Sequence, residues 1–549
     1  MWLSYITGII FFICAVYYFY RLSSSIFPNE NWLALAAVML FVLDKWMNFI
    51  SVTGMETTLY IFLLVACFYY YRKLNAAGFA VTLALSMWTR PDAVAFIAAI
   101  AADYLYRLYI RSKSKNKDNL PEIFSRDALI KIAVISGIIM AAYFIMNLVI
   151  SGSLLPNTYS AKLTYYSAEF RSRGDFLKSE VWEYFTEKAY LLILIPFLIA
   201  AFRIINDSVK QKYNPLLPAL IFILLLIFIY WYKLPYAHRF GRYLMPVFPF
   251  YFLLAVYGGR EFFKWLAEYI NDSKLVNGLN IMLLLGTMVY FTAGYNENKR
   301  VFQDQSRHIY IRQVEAAKWL KNNTPDNSVI ATHDVGAIAY YSERKIVDVV
   351  GLINPEFVEK LNNKDFVTFV KEQLKKQNVS YVAFLKEWFQ VANQPSLFSA
   401  GENNFEIMNI YKYEPDKTHI LSTEVNTGMN YAAEFIKNKQ YPNAVTILKQ
   451  VISFDPQNSL AYFQLAYVYS ELNDVVNSEK SLRKAVEIYP GYRDAAISLS
   501  NLYRIQNRID ESKNVLNSYI AVNPQDTAVI SQLKQLNSMT TSPDSLKNR

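Results

Sequence analysis

The pattern of apolar and polar positions divides the chain near residue 295. Before that point lie runs almost free of charge, such as Leu191–Ala201, Leu216–Trp231 and Ile281–Thr292. After it the pattern is that of an ordinary water-soluble protein. A helix that crosses a bilayer needs about 20 apolar residues, and ~17 suffice. The segments 2–20, 31–48, 56–71, 93–110, 128–150, 189–204, 215–232, 244–258 and 275–293 meet that length or come close to it. The shorter stretch 76–89, AAGFAVTLALSMWT, must cross if its neighbours do, which makes about ten spans.

Beyond the apolar part the period changes twice. Ile309–Asn322 is amphipathic at helical spacing, Ser328–Thr332 reads as a buried strand, and Asp334-Val335-Gly336 turns into a short helix. Lys345–Val350, Phe366–Gln377 and Val379–Leu385 continue as strand, helix and strand, the alternation of a small α/β domain. From about 427 a repeat takes over. Pro456, Pro490 and Pro524 are 34 residues apart, and on that period Tyr431, Leu465 and Leu499 coincide. Phe435, Tyr469 and Tyr503 also coincide, as do the small residues Ala432, Ala466 and Ser500. A helical hairpin of that length with those positions is the tetratricopeptide signature, and it implies a protein partner. The expected fold is therefore mainly α. A polytopic membrane domain (1–294) precedes an extracytoplasmic α/β domain (295–415), tetratricopeptide repeats (425–530) and a polar, disordered tail (537–549).

Composition adds two points. Aromatics make up 16% of the chain, with 42 Tyr, and groups such as Tyr17, Tyr18, Tyr20 and Tyr69, Tyr70, Tyr71 end apolar runs, as interfacial belts do. The net charge of +10 fits cytoplasmic loops of a membrane protein and gives no reason to expect nucleic acid. Arg107, Arg111, Lys113, Lys115 and Lys117 mark one loop as cytoplasmic, and Arg72/Lys73, Lys210/Lys212 and Arg260/Lys264 fall on the same side. The outer side then receives the hairpins at 54–56 and 89–92, the loops 151–188 and 233–243, and everything after 295. This is the topology of a multi-pass plasma (inner) membrane protein. Cys14 and Cys67 lie inside apolar runs, and four His in the whole chain make no metal cluster.

Charges at membrane depth usually mark function. Outer-facing clusters gather at Gly54-Met55-Glu56-Thr57, Thr89-Arg90-Pro91-Asp92, Leu155-Pro156-Asn157-Thr158-Tyr159 with Lys162, and His238-Arg239-Phe240-Gly241-Arg242-Tyr243. A fifth, His333-Asp334, lies in the soluble part. Snorkelling explains scattered Lys and Arg, but not acids and bases together on tight Pro/Gly turns of one face. Arg90, Lys162, Arg239 and Arg242 suit a phosphate or diphosphate. Glu56 and Asp92 suit a general base or sugar hydroxyls, and which of them is the base stays open. Asp44 and Lys45 are the only charges near a span interior of the kind a transporter would use. His333 and Asp334 sit at the carboxyl end of a strand, where open α/β sheets bind ligands, though Asp334 equally reads as a helix cap.

The motif set GMET, TRPD, LPNTYSAK, HRFGRYLMP and HDVGAIAYYSERKIVDVVGL resembles that of polytopic glycosyltransferases of the GT-C fold over roughly residues 1–390. It is most similar to the group around the terminal arabinofuranosyltransferases. The resemblance implies transfer of a sugar from a polyprenyl-phosphate donor to a glycan or protein acceptor on the non-cytoplasmic face, with no further cofactor. By that resemblance Glu56, Arg90, Asp92, Lys162, Arg239 and Arg242 line the donor cavity, with Asn157, His238, His333 and Asp334 as substrate-binding candidates. The family carries a catalytic acid in a loop directly after its first span, whereas Met1-Trp2-Leu3 opens straight into an apolar helix. Ten spans with an outer C-terminus also place Met1 outside, so a first span and its acidic loop are expected upstream. A membrane scaffold displaying the repeats is the first alternative. A transporter of lipid-linked substrate is the second, and no repeat between halves favours it.

Overall fold

The computed structural model describes residues 2–113, 120–165, 171–187, 189–237, 239–402 and 406–541. They fall into two compact units, Met1–Asp304 and Gln305–Arg549.

The first unit is helical throughout. Its elements are α1 (Trp2–Ile26), α2 (Asn31–Leu43), α3 (Lys45–Ser51), α4 (Thr57–Arg72), α5 (Ala76–Thr89), α6 (Val94–Lys113) and α7 (Arg126–Ser151). Next come α8 (Asn157–Tyr165), α9 (Arg173–Asp175), α10 (Glu183–Thr186), α11 (Ala189–Val209), α12 (Leu217–Lys233), α13 (Phe248–Ile270) and α14 (Ser273–Ala293). Every segment expected to span is therefore a helix, but fewer than ten have the length and composition. Among the described residues, five are long and apolar enough to cross a membrane: Trp2–Ile26, Pro91–Lys113, Arg126–Ser151, Ala189–Val209 and the run Lys274–Asn323 that α14 opens. The pair α2–α3, bent by 61°, makes six if it is one span. The shortfall has a simple cause. Helices α4, α5 and α12 have 16, 14 and 17 residues, shorter than about 30 Å of hydrocarbon at 1.5 Å per residue. In α13 the second half carries Arg260, Glu261, Lys264 and Glu268. The segment 151–188 is also more than a loop, because α8, α9 and α10 occupy much of it.

This unit has an apolar core, but its surface is apolar as well and a few charges lie inside. Trp2, Ile138, Val149, Phe202 and Val289 are exposed, while Arg90, Asp44, Asp103 and Arg107 are buried. Apolar side chains outside and polar ones inside suit a hydrocarbon surrounding. The tyrosines divide accordingly: Tyr17 and Tyr20 face out as a belt would, but Tyr60, Tyr71 and Tyr251 are core residues. Helices α11 and α13 approach each other closely at Gly258. A Cβ built on Gly258 would lie 1.8 Å from the Pro196 carbonyl oxygen and 2.8 Å from the Ala200 nitrogen. No side chain fits there.

The boundary between the units falls within α15 (Tyr295–Ile309), and the second unit continues with α16 (Glu315–Asn323). The strands β1 (Val329–Thr332), β2 (Lys345–Asp348) and β3 (Tyr381–Leu385) alternate with α17 (Val335–Ser342) and α18 (Phe366–Lys376), as the apolar pattern predicts. The strands β4 (Val391–Ala392), β5 (Phe398–Ala400), β6 (Met408–Lys412) and β7 (His419–Ile420) complete it. One sheet runs β2-β1-β3-β6-β5, parallel across its first three strands and antiparallel beyond; β4 and β7 form a second, two-stranded sheet. Strand alternation feeds two cores. Val329, Ala331, Val382 and Phe384 pack with α18, and Ile330, Ala383 and Leu385 pack with α16 and α17.

The chain then forms α19 (Thr423–Lys437), α20 (Tyr441–Phe454), α21 (Ser459–Glu471), α22 (Val475–Ile488), α23 (Arg493–Ile505), α24 (Ile509–Val522) and α25 (Thr527–Thr541). The 34-residue period is written in contacts. Ala432, Ala466 and Ser500 are buried against Ala444, Ser478 and Ser512 of the following helices, with Ser478 Oγ donating to the Ala466 carbonyl at 2.9 Å. Ser500 and Ser512 share a buried hydroxyl contact of 2.7 Å. Each hairpin turn reuses one left-handed residue, Lys439, Asn473 and Asn507, at φ 56, 59 and 61°. Tyr431 departs from the pattern: it is exposed where Leu465 and Leu499 are buried. The tail expected to be disordered is helical as far as Thr541, because α25 buries Val529 and Leu536 in the last core; 542–549 lie outside the described residues.

The α/β domain and the repeats, separate in the sequence reading, make one compact unit. Asn393 Nδ2 donates to the Gln457 carbonyl at 2.7 Å, and His419 meets Asp455 at 2.8 Å. Gly258→Val should destabilise the first unit by about 1–3 kcal/mol or more, since neither neighbour is a flexible side chain. Thermal unfolding of the detergent-solubilised chain measures this; an unchanged transition would show that the crossing is looser than described.

Candidate functional site

The polar centre of the first unit is built on Arg90. This residue caps the C-terminus of α5 in extended conformation, and Pro91 fixes the short 3-10 turn Pro91–Ala93 that follows. The turn folds Asp92 back on Arg90. Arg90 Nε donates to Asp92 Oδ1 at 3.0 Å and Nη2 to Oδ2 at 2.7 Å, a bidentate pair. Tyr230 of α12 closes the triangle: it accepts from Arg90 Nη2 at 2.9 Å and donates to Asp92 Oδ2 at 2.7 Å. The guanidinium lies 5.1 Å from the Tyr60 ring and 5.0 Å from that of Tyr243, and Tyr243 stacks on Tyr230.

This geometry changes the reading of two residues. Arg90 and Asp92, expected to bind phosphate and to act as a base, are spent on each other and on Tyr230. Burial explains it, since an unpaired charge there would cost several kcal/mol. What remains around the buckle is different. Glu56 stands in the combined field of Arg242, Arg90 and Lys162. Arg242 lies 5.4 Å and the Lys162 ammonium 5.7 Å from the Tyr243 ring. Arg242 Nε and the hydroxyls of Thr57, Thr58 and Tyr60 are buried without hydrogen-bond partners. Two cations and several free donors make an anion-accepting corner. Asn157 opens α8 and Arg239 opens the turn Arg239–Gly241; their side chains lie outside the described residues, as does His238 altogether.

Two further polar nodes lie in this unit, one at the Asp44–Lys45 pair that the sequence singles out and one that sequence reasoning missed. Asp44 sits at the α2–α3 bend, where its carboxylate accepts from the Trp46 and Met47 amides at 3.0 and 2.8 Å and from the Tyr190 hydroxyl. Lys45 pairs with Glu187 at 2.9 Å. A cavity of about 140 Å³ lies beside them, lined in part by Tyr290 and Glu297. The second node contradicts the view that Asp44 and Lys45 are the only charges within a span. Asp103 is fully buried in α6 and takes Arg107 Nε at 2.8 Å and the Tyr71 hydroxyl at 2.7 Å. Arg107, expected in a solvated basic loop, lies between the rings of Tyr71 and Tyr213 at 4.5 and 4.7 Å. An Asp and Arg four residues apart on a helix gave the available signal.

His333 and Asp334 belong to the second unit. His333 follows β1, is 7% exposed, and stacks on Trp388 at 5.1 Å with Phe384 and Phe389 beside it. Burial, aided by the charge of Arg312, pushes its pKa down to about 3, so the ring is neutral. Asp334 precedes α17 but makes no capping bond; its carboxylate accepts from Gln313 Nε2 instead.

A family model described as a domain of unknown function (DUF8728) matches residues 302–446, and a tetratricopeptide-repeat model matches residues 447–480. The C-terminal helices are tetratricopeptide repeats. Superkiller complex protein 3 of Homo sapiens is 29% identical over 98 residues, 18% of this chain; the chain spans 6% of that relative's length. The first TPR of Spaghetti (RPAP3) bound to an HSP90 peptide is 16% identical, with a TM-score of 0.20, covering 22% of this chain and 94% of that one. The TPR2B domain of yeast Sti1 in its pHsp70 complex is 19% identical, with a TM-score of 0.19, covering 21% and 94%.

Two outcomes test the site assignments. Asp92→Ala alone should destabilise the first unit by about 3–5 kcal/mol, whereas Arg90→Met with Asp92→Leu should recover most of it. Unfolding temperatures decide, and a single variant as stable as the wild type would refute the buckle. For His333 the unfolded ring, with a pKa near ~6.5, binds a proton that the folded ring refuses. Stability of the second unit should therefore be full above about pH 6.5. It should fall as the pH drops toward 3, by at most ~1.4 kcal/mol per pH unit, and His333→Phe should flatten that slope.

Proposed function

We propose that this protein is a membrane-anchored interaction protein whose tetratricopeptide module docks a peptide segment of a partner protein. The observation that carries this reading is the repeat architecture, with Gln464 and Tyr467 placed on one face of α21. Gln464 Oε1 is buried without a partner, and Tyr467, three residues on and so on the same helix face, is half exposed. An orphan acceptor beside an exposed aromatic suits a peptide N–H and an apolar side chain. In this reading the apolar helices hold the module at a multi-pass inner membrane, with both soluble parts extracytoplasmic.

A second reading, sugar transfer from a polyprenyl-phosphate donor to an envelope glycan or protein acceptor, rests on the resemblance to GT-C enzymes. The corner of Glu56, Arg242 and Lys162 with its free donors favours it: the cations suit a diphosphate and Glu56 the acceptor hydroxyl. Ten crossings belong to this reading too.

Tyr467→Ala combined with Gln464→Ala should reduce binding of a purified co-isolated partner by about tenfold or more. Glu56→Ala should leave that binding intact. Retained partner together with lost glycan product in a Glu56→Ala strain would move the weight to the transferase. Partner binding indifferent to both α21 substitutions would sink the docking reading.

A further inference from the structure

The sheet of the second unit has a reversal point. From β1 the chain passes through α17 to β2 on one side, then crosses through α18 to β3 on the other, with both neighbours parallel to β1. Loops leaving the carboxyl ends of β1 and β3 therefore diverge, which is where open α/β sheets hold ligands. His333 follows β1, and Glu387 and Trp388 follow β3. Gln313, from the turn before α16, reaches the same place through Asp334, the neighbour of His333.

Three side chains there are buried with unmet hydrogen-bonding capacity. Neither ring nitrogen of His333 has a partner. Glu387 accepts the Glu406 amide at 3.1 Å with Oε1, but its Oε2 has none. Gln313 is 3% exposed and donates to Asp334, leaving its Oε1 unpaired. Groups buried in this state are costly and rare, and three at one crevice are not explained by packing. Their character is one-sided: two are carbonyl or carboxylate oxygens that only accept. The cations nearby do not alter this, because Arg312 and His308 both meet Glu406. Trp388 lies at the same point, 39% exposed, with His333 stacked on it.

We propose that this crevice is a saccharide-binding site, in which sugar hydroxyls donate to Glu387 Oε2 and Gln313 Oε1 while a sugar ring lies on Trp388. Acceptors beside cations that Glu406 already matches favour neutral polyols over phosphates, and an exposed indole supplies the apolar platform. The neutral state of His333 adds one acceptor and one donor without adding positive charge. The wall carrying Glu387 and Trp388 is fixed by the first repeat. Asn430 Nδ2 donates to the Glu387 carbonyl at 2.8 Å and Asn426 Nδ2 to that of Trp388 at 2.9 Å. The inference goes beyond the docking reading and is independent of it, since it uses neither Tyr467 nor Gln464.

The test uses the full chain in detergent. Free pentoses and hexoses with their tri- and tetrasaccharides are titrated by calorimetry, and inorganic phosphate is titrated in parallel. The expected result is saccharide binding that Trp388→Ala and Glu387→Gln each weaken by about tenfold or more, with phosphate inert. Glu387→Gln keeps an oxygen for the Glu406 amide, so its unfolding temperature should match wild type. It decides alone if Trp388→Ala fails to fold. No binding by any sugar in the panel, binding indifferent to both substitutions, or binding of phosphate instead would overturn the proposal. Loss of partner docking in the Tyr467→Ala/Gln464→Ala variant with sugar binding retained would separate the two readings.

Discussion

Asp92 and Arg90 cannot enter an apolar bundle separately, and much of the first unit follows from their entering together. The carboxylate is held by two N–H groups on one edge of the guanidinium and by Tyr230, so the turn after α5 and helix α12, far apart in sequence, meet at one point. Tyr60 and Tyr243 then flank the guanidinium. Removing one member leaves an uncompensated charge in low dielectric, which is a larger loss than the pair's own attraction. The same rule appears at Asp103 with Arg107 and at Asp44 with Tyr190. In each case the buried carboxylate has its hydrogen-bond donors before any ligand is considered.

That rule separates structural charge from available charge. Five outer-facing clusters are legible in the sequence, but their spacing does not say which members consume each other. The Thr89-Arg90-Pro91-Asp92 turn closes on itself because Pro91 shortens it to one 3-10 turn. Gly54-Met55-Glu56-Thr57 has no internal cation, so Glu56 stays in the field of Arg242 and Lys162. Tyr230 and Tyr243 were hidden for a different reason. A tyrosine near the end of an apolar run looks like an interfacial anchor, and only the neighbouring helices show whether it faces lipid or a buried carboxylate.

Secondary structure was more readable than span number. Each apolar run became a helix because its residues leave no other way to satisfy the backbone, yet α4 and α5 are too short to qualify by themselves. In the second unit β1, β2 and β3 were legible as apolar runs between helical periods. The strands β4 to β7 were not: β4 and β7 have two residues each and β5 has three, too few to show alternation. The repeats were the clearest signal, since a fixed period compounds over Pro456, Pro490 and Pro524. What the period could not reveal is that α19 also braces the α/β domain through Asn426 and Asn430.

The groups left over at the two candidate sites are chemically different. Around Glu56 they are the hydroxyls of Thr57, Thr58 and Tyr60 and Arg242 Nε, with Lys162 nearby. At the sheet reversal point they are Glu387 Oε2, Gln313 Oε1 and a neutral imidazole. A cationic corner rich in donors selects for anions, and a crevice rich in acceptors selects for donors such as sugar hydroxyls. A single ligand class would be poorly matched to both. The two sites therefore divide between them a charged and a neutral chemistry, each set by which polar atoms folding left unpaired.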